Sequence, residues 1–160
     1  MLLNRIYNEC WARNWGFVPM TVEEMRDSIK EMMPFADTDL TFFIQYKEEV
    51  VGVCFIIPDI SPLLKRLDGR LGLGALIIKY LYSSEIKGVR GLIFGVKEEY
   101  RQMGVPFVAF NYLMEMAKKK ENYQYIELGW NLEDNEAINR LYDEGGARPH
   151  KRHRIYRKDL

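Results

Sequence analysis

A chain of 160 residues, 48% hydrophobic and 13% aromatic, is too apolar to stay disordered and long enough to close one core without disulfides or a metal. Lysine plus arginine and aspartate plus glutamate each number 23, so no net field draws the whole molecule to nucleic acid, an anionic membrane or an acidic substrate. The cysteines are Cys10 and Cys54 and no secretory signal opens the chain, which points to a reducing cytoplasm where both stay thiols and fill the core.

Residues 2–15 read as a helix that opens directly on apolar positions. Thr21 and Glu24 form a capping box, each side chain able to satisfy the other's free main-chain N–H, and Val22, Met25, Ile29 and Met32 or Met33 continue it as a second helix ending near Pro34. Residues 40–46 and 50–57 are rich in β-formers around the polar Lys47-Glu48-Glu49, the pattern of an antiparallel hairpin. Ser61-Pro62 supplies a cap and a first-turn proline for a short helix that Gly69 can close. Residues 71–82 are apolar nearly all round, as in a core helix, although Gly72 and Gly74 each cost about 1 kcal/mol there; a lid, an acceptor pocket or a subunit contact are the alternatives. Lys79 stops that run well short of the roughly 20 residues needed to span a bilayer.

The second half alternates. Residues 91–96 look like a strand buried on both faces, 107–119 like a helix with helical spacing through Val108, Tyr112, Met116 and the intervening Met114, and 125–130 like a further strand. A strand, helix and strand in this order predict parallel pairing through a right-handed crossover. A helix over 135–144 stops at Gly145-Gly146, and 148–157 reads as a last strand. With no repeat or linker, the expectation is one domain over 1–160: an α/β mixed sheet flanked by helices.

The turn from Lys97 to Pro106 carries the most chemistry. A small-residue turn entering a helix presents unbonded N–H groups and the positive end of the helix dipole, a setting for pyrophosphate, to which Arg101 could add a charged contact. The plain alternative is an ordinary connection, with Gly104 for backbone shape and Pro106 for helix initiation.

Val96, Glu99-Tyr100-Arg101 and Gly104 resemble the signature of the GNAT superfamily of acyl-CoA-dependent N-acyltransferases: Arg or Gln, two residues, Gly, one residue, then Gly or Ala. The resemblance implies a mostly antiparallel mixed sheet with a central, splayed parallel strand pair. It also implies that Arg101, Gln102, Met103, Gly104, Val105 and Pro106 cradle the pyrophosphate of coenzyme A, and that the pantetheine arm runs past Phe94, Gly95 and Val96. Asn135, Ala137, Leu141-Tyr142 and Gly145-Gly146 resemble the family's later helix, which makes Asn135 a cofactor contact and Tyr142 the acid that protonates the departing thiolate. Tyr142 and Leu141 as a buried stripe is the alternative. Trp130, Glu133 and Asn135, with residues 14–19, resemble one branch of the superfamily. Two features depart from the pattern: Pro106 stands where Gly or Ala is usual and removes one N–H, and the family's first strand is missing before the opening helix.

The expected activity is therefore transfer of an acetyl or other acyl group from acetyl-CoA or another acyl-CoA to a primary amine, small molecule or peptide, by direct attack on the thioester. A non-catalytic module that binds acyl-CoA or a protein partner is the alternative. Glu98, Glu127 and Glu133 are the candidate bases, and main-chain N–H groups near a bulge at Gly95 could polarise the carbonyl. The basic stretch 148–158 could meet RNA or the cofactor's 3′-phosphate, but a charged strand with one wet face accounts for it, and His150 and His153 would point to opposite faces, so no metal site is expected. Neither nucleic acid nor membrane is an expected partner, and a homodimer is left open.

Overall fold

The computed structural model describes residues 1–66 and 83–158. The chain divides into two compact units, Met1–Gly129 and Trp130–Leu160. The expected helix over 71–82 and its closing Gly69 lie outside the described residues.

In the first unit, α1 (Leu2–Trp11) is shorter than its apolar pattern suggested, and the chain turns away after Ala12. Asn4 and Asn8 of α1 then hold the following loop, donating to the Met20 carbonyl at 2.8 and 2.9 Å, and Asn8 Oδ1 accepts from the Met20 N–H. The capping box opens α2 (Val22–Met32) as its sequence dictates: Thr21 N–H donates to Glu24 Oε2 at 2.8 Å, and Glu24 N–H to Thr21 Oγ1 at 3.2 Å. A single 3₁₀ turn, Met33–Phe35, ends it at Pro34.

The sheet order is β1-β2-β3-β4. The hairpin of β1 (Phe42–Tyr46) and β2 (Glu49–Pro58) is antiparallel and turns through Lys47 and Glu48 alone, with Lys47 at φ 54. After the short α3 (Ser61–Arg66), β3 (Gly88–Val96) runs antiparallel to β2. A four-residue α4 (Glu98–Arg101) and the long α5 (Val105–Lys118) cross to β4 (Tyr125–Glu127), which pairs parallel to β3 as expected.

Side chains alternate across the pleat to build a core on each face. On one face Leu40, Cys54, Ile56 and Val89 pack with Leu113 and Ala117 of α5, and Ile44, Val51 and Val96 with Ala109. On the other, Ile6 and Cys10 of α1 cover Val53. The buried residues of α5 are Ala109, Phe110, Leu113 and Ala117, with Met116 partly buried against the core, while Val108 is 68% and Tyr112 47% exposed. That corrects the expected stripe at Val108 and Tyr112: α5 is apolar at nearly every position of its first two turns, so periodicity alone does not select the packed side. Leu92, 42% exposed, likewise shows that β3 is not buried on both faces throughout.

The second unit holds α6 (Glu136–Glu144), followed by residues 147–158 without regular structure. The strand expected over 148–157 is therefore not formed: residues 148–158 are all exposed, Ile155 and Tyr156 included, so no apolar side chain of the segment is buried to hold it as a strand. Among the described residues no helix is long and apolar enough to cross a membrane.

Candidate functional site

The last residues of β3 and the turn that follows bring the expected cofactor residues of the first unit to one place. Pairing of β3 with β4 covers Gly88↔Tyr125, Val89↔Ile126 and Arg90↔Glu127 and then stops, although β3 continues to Val96. Gly91 and Gly129 still lie close, since a Cβ on Gly129 would sit 2.9 Å from the Gly91 carbonyl. Beyond that point residues 92–96 have β2 as a ladder partner on one side, and no described strand on the other.

The strand does bulge, but not at Gly95. Register with β2 shifts between Phe55↔Ile93 and Ile56↔Gly91, which leaves Leu92 as the extra residue. Gly95 has a different role: a Cβ there would lie 2.3 Å from the Trp11 ring, so the missing side chain is what lets α1 close over β3. Phe94 packs edge-on to Phe110 of α5, their ring centroids 6.1 Å apart, and Val96 is buried.

After Val96 the chain enters a charged clasp. Lys97 Nζ lies 2.9 Å from a Glu9 carboxylate oxygen and 2.7 Å from one of Glu49, whose other oxygen accepts from Tyr100 O–H at 2.7 Å. The hydrogen bond to Glu49, then that to Glu9, push the Lys97 pKa up, and the bond from Lys97, followed by that from Tyr100, holds Glu49 below the usual carboxylate range. Arg13 pairs with Glu98, and Arg101 donates to two main-chain carbonyls, Val96 (2.8 Å) and Cys10 (2.6 Å).

Gln102, Met103 and Gly104 are exposed. Gly104 takes φ 75, a left-handed conformation that glycine adopts without strain, and no side chain caps the helix it starts. The first intrahelical bond runs from Val108 N–H to the Gly104 carbonyl at 3.1 Å, and Pro106 has no N–H, so Val105 and Phe107 supply the unbonded donors of the first turn. Their N–H groups and the α5 dipole suit an anionic group.

The candidate carboxylates are all ion-paired. Glu98 meets Arg13, and Glu127 is 3.0 Å from Arg90 across the parallel pair, far along β3 from Gly104. Glu133 belongs to the second unit, where Arg154 bonds it and, through that bond and its charge, lowers its pKa. In the same unit Asn135 caps α6, its Oδ1 accepting from Ile138 N–H at 3.4 Å, and Tyr142 sits on that helix. Asn139 ties the segment before α6 to it by donating to the Glu133 carbonyl at 3.1 Å.

Sequence reasoning missed a second polar cluster at the start of β3. Asp59 is buried and accepts from Ser61 N–H (3.1 Å), Ser61 O–H (2.6 Å) and Tyr125 O–H (2.6 Å). Burial raises its pKa, but these hydrogen bonds and the Arg90 charge outweigh burial and leave it below the usual aspartate value. The hydrogen bond to Asp59, then burial, push Tyr125 up to about 12. Burial raises both cysteines to about 12, which fits core residues rather than nucleophiles.

The fold recurs in solved acetyltransferases. The structure of AAC(6')-Iy in complex with the bisubstrate analogue CoA-S-monomethyl-acetylneamine superposes with a TM-score of 0.59 at 12% identity, covering 99% of this chain and 93% of that one. A Trypanosoma brucei acetyltransferase matches with a TM-score of 0.53 at 16% identity, over 98% of this chain and 92% of that one. The chain has the GNAT fold. No family model matches it. By sequence it is 31% identical over 165 aligned positions to a protein of Caulobacter vibrioides named bacterial ceramide synthase, and 29% identical over 168 to protein YghO of Escherichia coli. Each alignment takes in 99% of this chain and 42% of the relative, so the GNAT-fold chain spans less than half the length of the curated relatives it matches.

Proposed function

We propose that this chain acts as one acyltransferase domain that passes an acyl group from acyl-CoA to a primary amine. The observation that carries the reading is an uncapped helix start at Gly104 beside a β3 edge that has no described ladder partner after Arg90. Main-chain donors of residues 102–107 take the pyrophosphate, and the open edge of residues 92–96 receives the pantetheine arm. Amine nitrogen bonds to the acyl carbon as the carbon–sulfur bond breaks. The ammonium proton goes to a carboxylate, directly or through water, and the thiolate takes a proton from the phenol of Tyr142. Arg13, Arg90 and Arg154 pair with Glu98, Glu127 and Glu133 respectively, so ion pairing singles out none of the three as the base. Asn135 keeps its role as a cofactor contact.

Likeness to a protein named bacterial ceramide synthase bears on the acceptor. A ceramide carries its acyl group on the nitrogen of a long-chain amine, so a long-chain amine is the favoured acceptor, with a long acyl chain as well as acetyl among the donors. Pro106, which withholds one donor from the phosphate site, favours a second reading, a module that binds acyl-CoA without transfer.

Thiol release from acetyl-CoA and palmitoyl-CoA, measured against sphinganine, spermidine and a lysine peptide, tests both readings. Transfer requires amine-dependent release, and Tyr142→Phe should lower kcat about 100-fold while calorimetric CoA affinity stays at the wild-type value. Binding with no release under any amine leaves the module; wild-type turnover in Tyr142→Phe removes the acid assignment.

A further inference from the structure

We infer that Arg101 is a positioning residue that latches the C-terminal end of α1 to the cofactor turn, rather than a charge that touches phosphate. Its planar guanidinium bridges main-chain carbonyls from two elements: Nε donates to Val96, the last residue of β3, at 2.8 Å, and Nη2 donates to Cys10, in the last turn of α1, at 2.6 Å. Cys10 is 91 residues away in the chain, so this contact is purely tertiary.

Each acceptor needs such a donor. The last carbonyls of a helix have no intrahelical partner and sit at the negative end of its dipole, where a cation is favoured. Val96 closes β3 just where the chain leaves the sheet. By bonding Val96 from five positions on, Arg101 closes the loop that aims residues 102–105. Only a fork of fixed geometry holds both carbonyls at once; a lysine ammonium is a point donor on a flexible stem.

Three further contacts lie on the same seam. Lys97 pairs with Glu9 and Arg13 with Glu98, and Trp11 covers Gly95. The Arg13–Glu98 pair is open to water, with side chains 81% and 52% exposed, and such pairs contribute little. Arg101 differs because its partners are main-chain groups that no rotamer change can withdraw.

Only the consequence for ligand binding rests on the acyl-CoA reading; the latch does not. The test compares Arg101→Gln and Arg101→Lys. In ligand-free protein, amide exchange at residues 8–11 and 102–105 should quicken about tenfold in both variants, with the β1–β2 hairpin unchanged as the control for folding. Affinity for CoA should fall about tenfold in both, with pantetheine, which lacks the pyrophosphate, unaffected. A lysine variant that restores CoA affinity would show that charge on phosphate is what matters, and unchanged exchange in both segments would show that no latch exists. Either result overturns the inference. Wild-type protein that fails to bind CoA, with exchange behaving as expected, removes the acyl-CoA reading and leaves the latch standing.

Discussion

The two ends of β3 solve opposite problems. At its start, Val89 and Arg90 pair on both sides, Arg90 meets Glu127, and Asp59 collects three donors, so polar groups satisfy one another. At its end, the ladder to β4 has stopped, α5 starts without a cap, and the polar side chains hold the backbone in place instead of filling the opening. Buried polar groups that already have partners gain nothing from a ligand, whereas helix-start N–H groups without partners do. The proposed ligand site is therefore at the Val96 end, with the closed end as its foundation.

Glycines at the two ends give the sharpest contrast. A Cβ on Gly52 would lie 2.4 Å from the Gly95 carbonyl oxygen and 3.2 Å from Val96 Cα, main-chain atoms that move only with the sheet. Gly52→Ala should cost about 3 kcal/mol in urea denaturation, because overpacking against backbone has no cheap relaxation. A Cβ on Gly88 would meet the Tyr125 ring at 2.2 Å, but that ring can swing away, so Gly88→Ala should cost less and show itself as a Tyr125 phenol titrating below its raised value of about 12. Equal losses from both substitutions would contradict the contrast.

Asp59 tests the closed end by pH. Its folded pKa lies below its unfolded value, so its contribution is present above the unfolded value of about 3.9 and is lost as pH falls through the folded one. Asp59→Asn should lower stability by about 2 kcal/mol at pH 7 and flatten the acid side of the Tm profile, because the group that titrates there is gone. A variant with the wild-type acid slope would mean that other carboxylates carry the acid sensitivity.

Local signals were legible in the sequence and long-range ones were not. Thr21 and Glu24 are three residues apart, so their mutual capping is written in the chain, and the same holds for the hairpin around Lys47-Glu48 and for the glycine that starts α5. The parallel pair also followed from element order. The contacts that shape the site join residues far apart: Arg101 to Cys10, Lys97 to Glu9, Trp11 to Gly95, Tyr125 to Asp59. Nothing in the spacing of those residues forecasts them. Periodicity failed in α5 for a different reason, since Val105, Phe107, Val108 and Phe110 leave no polar side to orient the helix.

The smallest expected effect is the most direct test of the open end. Nothing lies within 4 Å of a Cβ placed on Gly104, so Gly104→Ala adds no clash and acts only through φ 75, at a cost of about 1 kcal/mol. Gly104→Asn should recover part of that loss, because asparagine tolerates the left-handed region better than alanine. The same torsion aims the N–H groups of residues 104, 105 and 107, so CoA affinity should follow the same order: glycine above asparagine above alanine. Stability that follows the order while CoA affinity stays constant would separate the turn's shape from its use, and would move the phosphate site away from the start of α5.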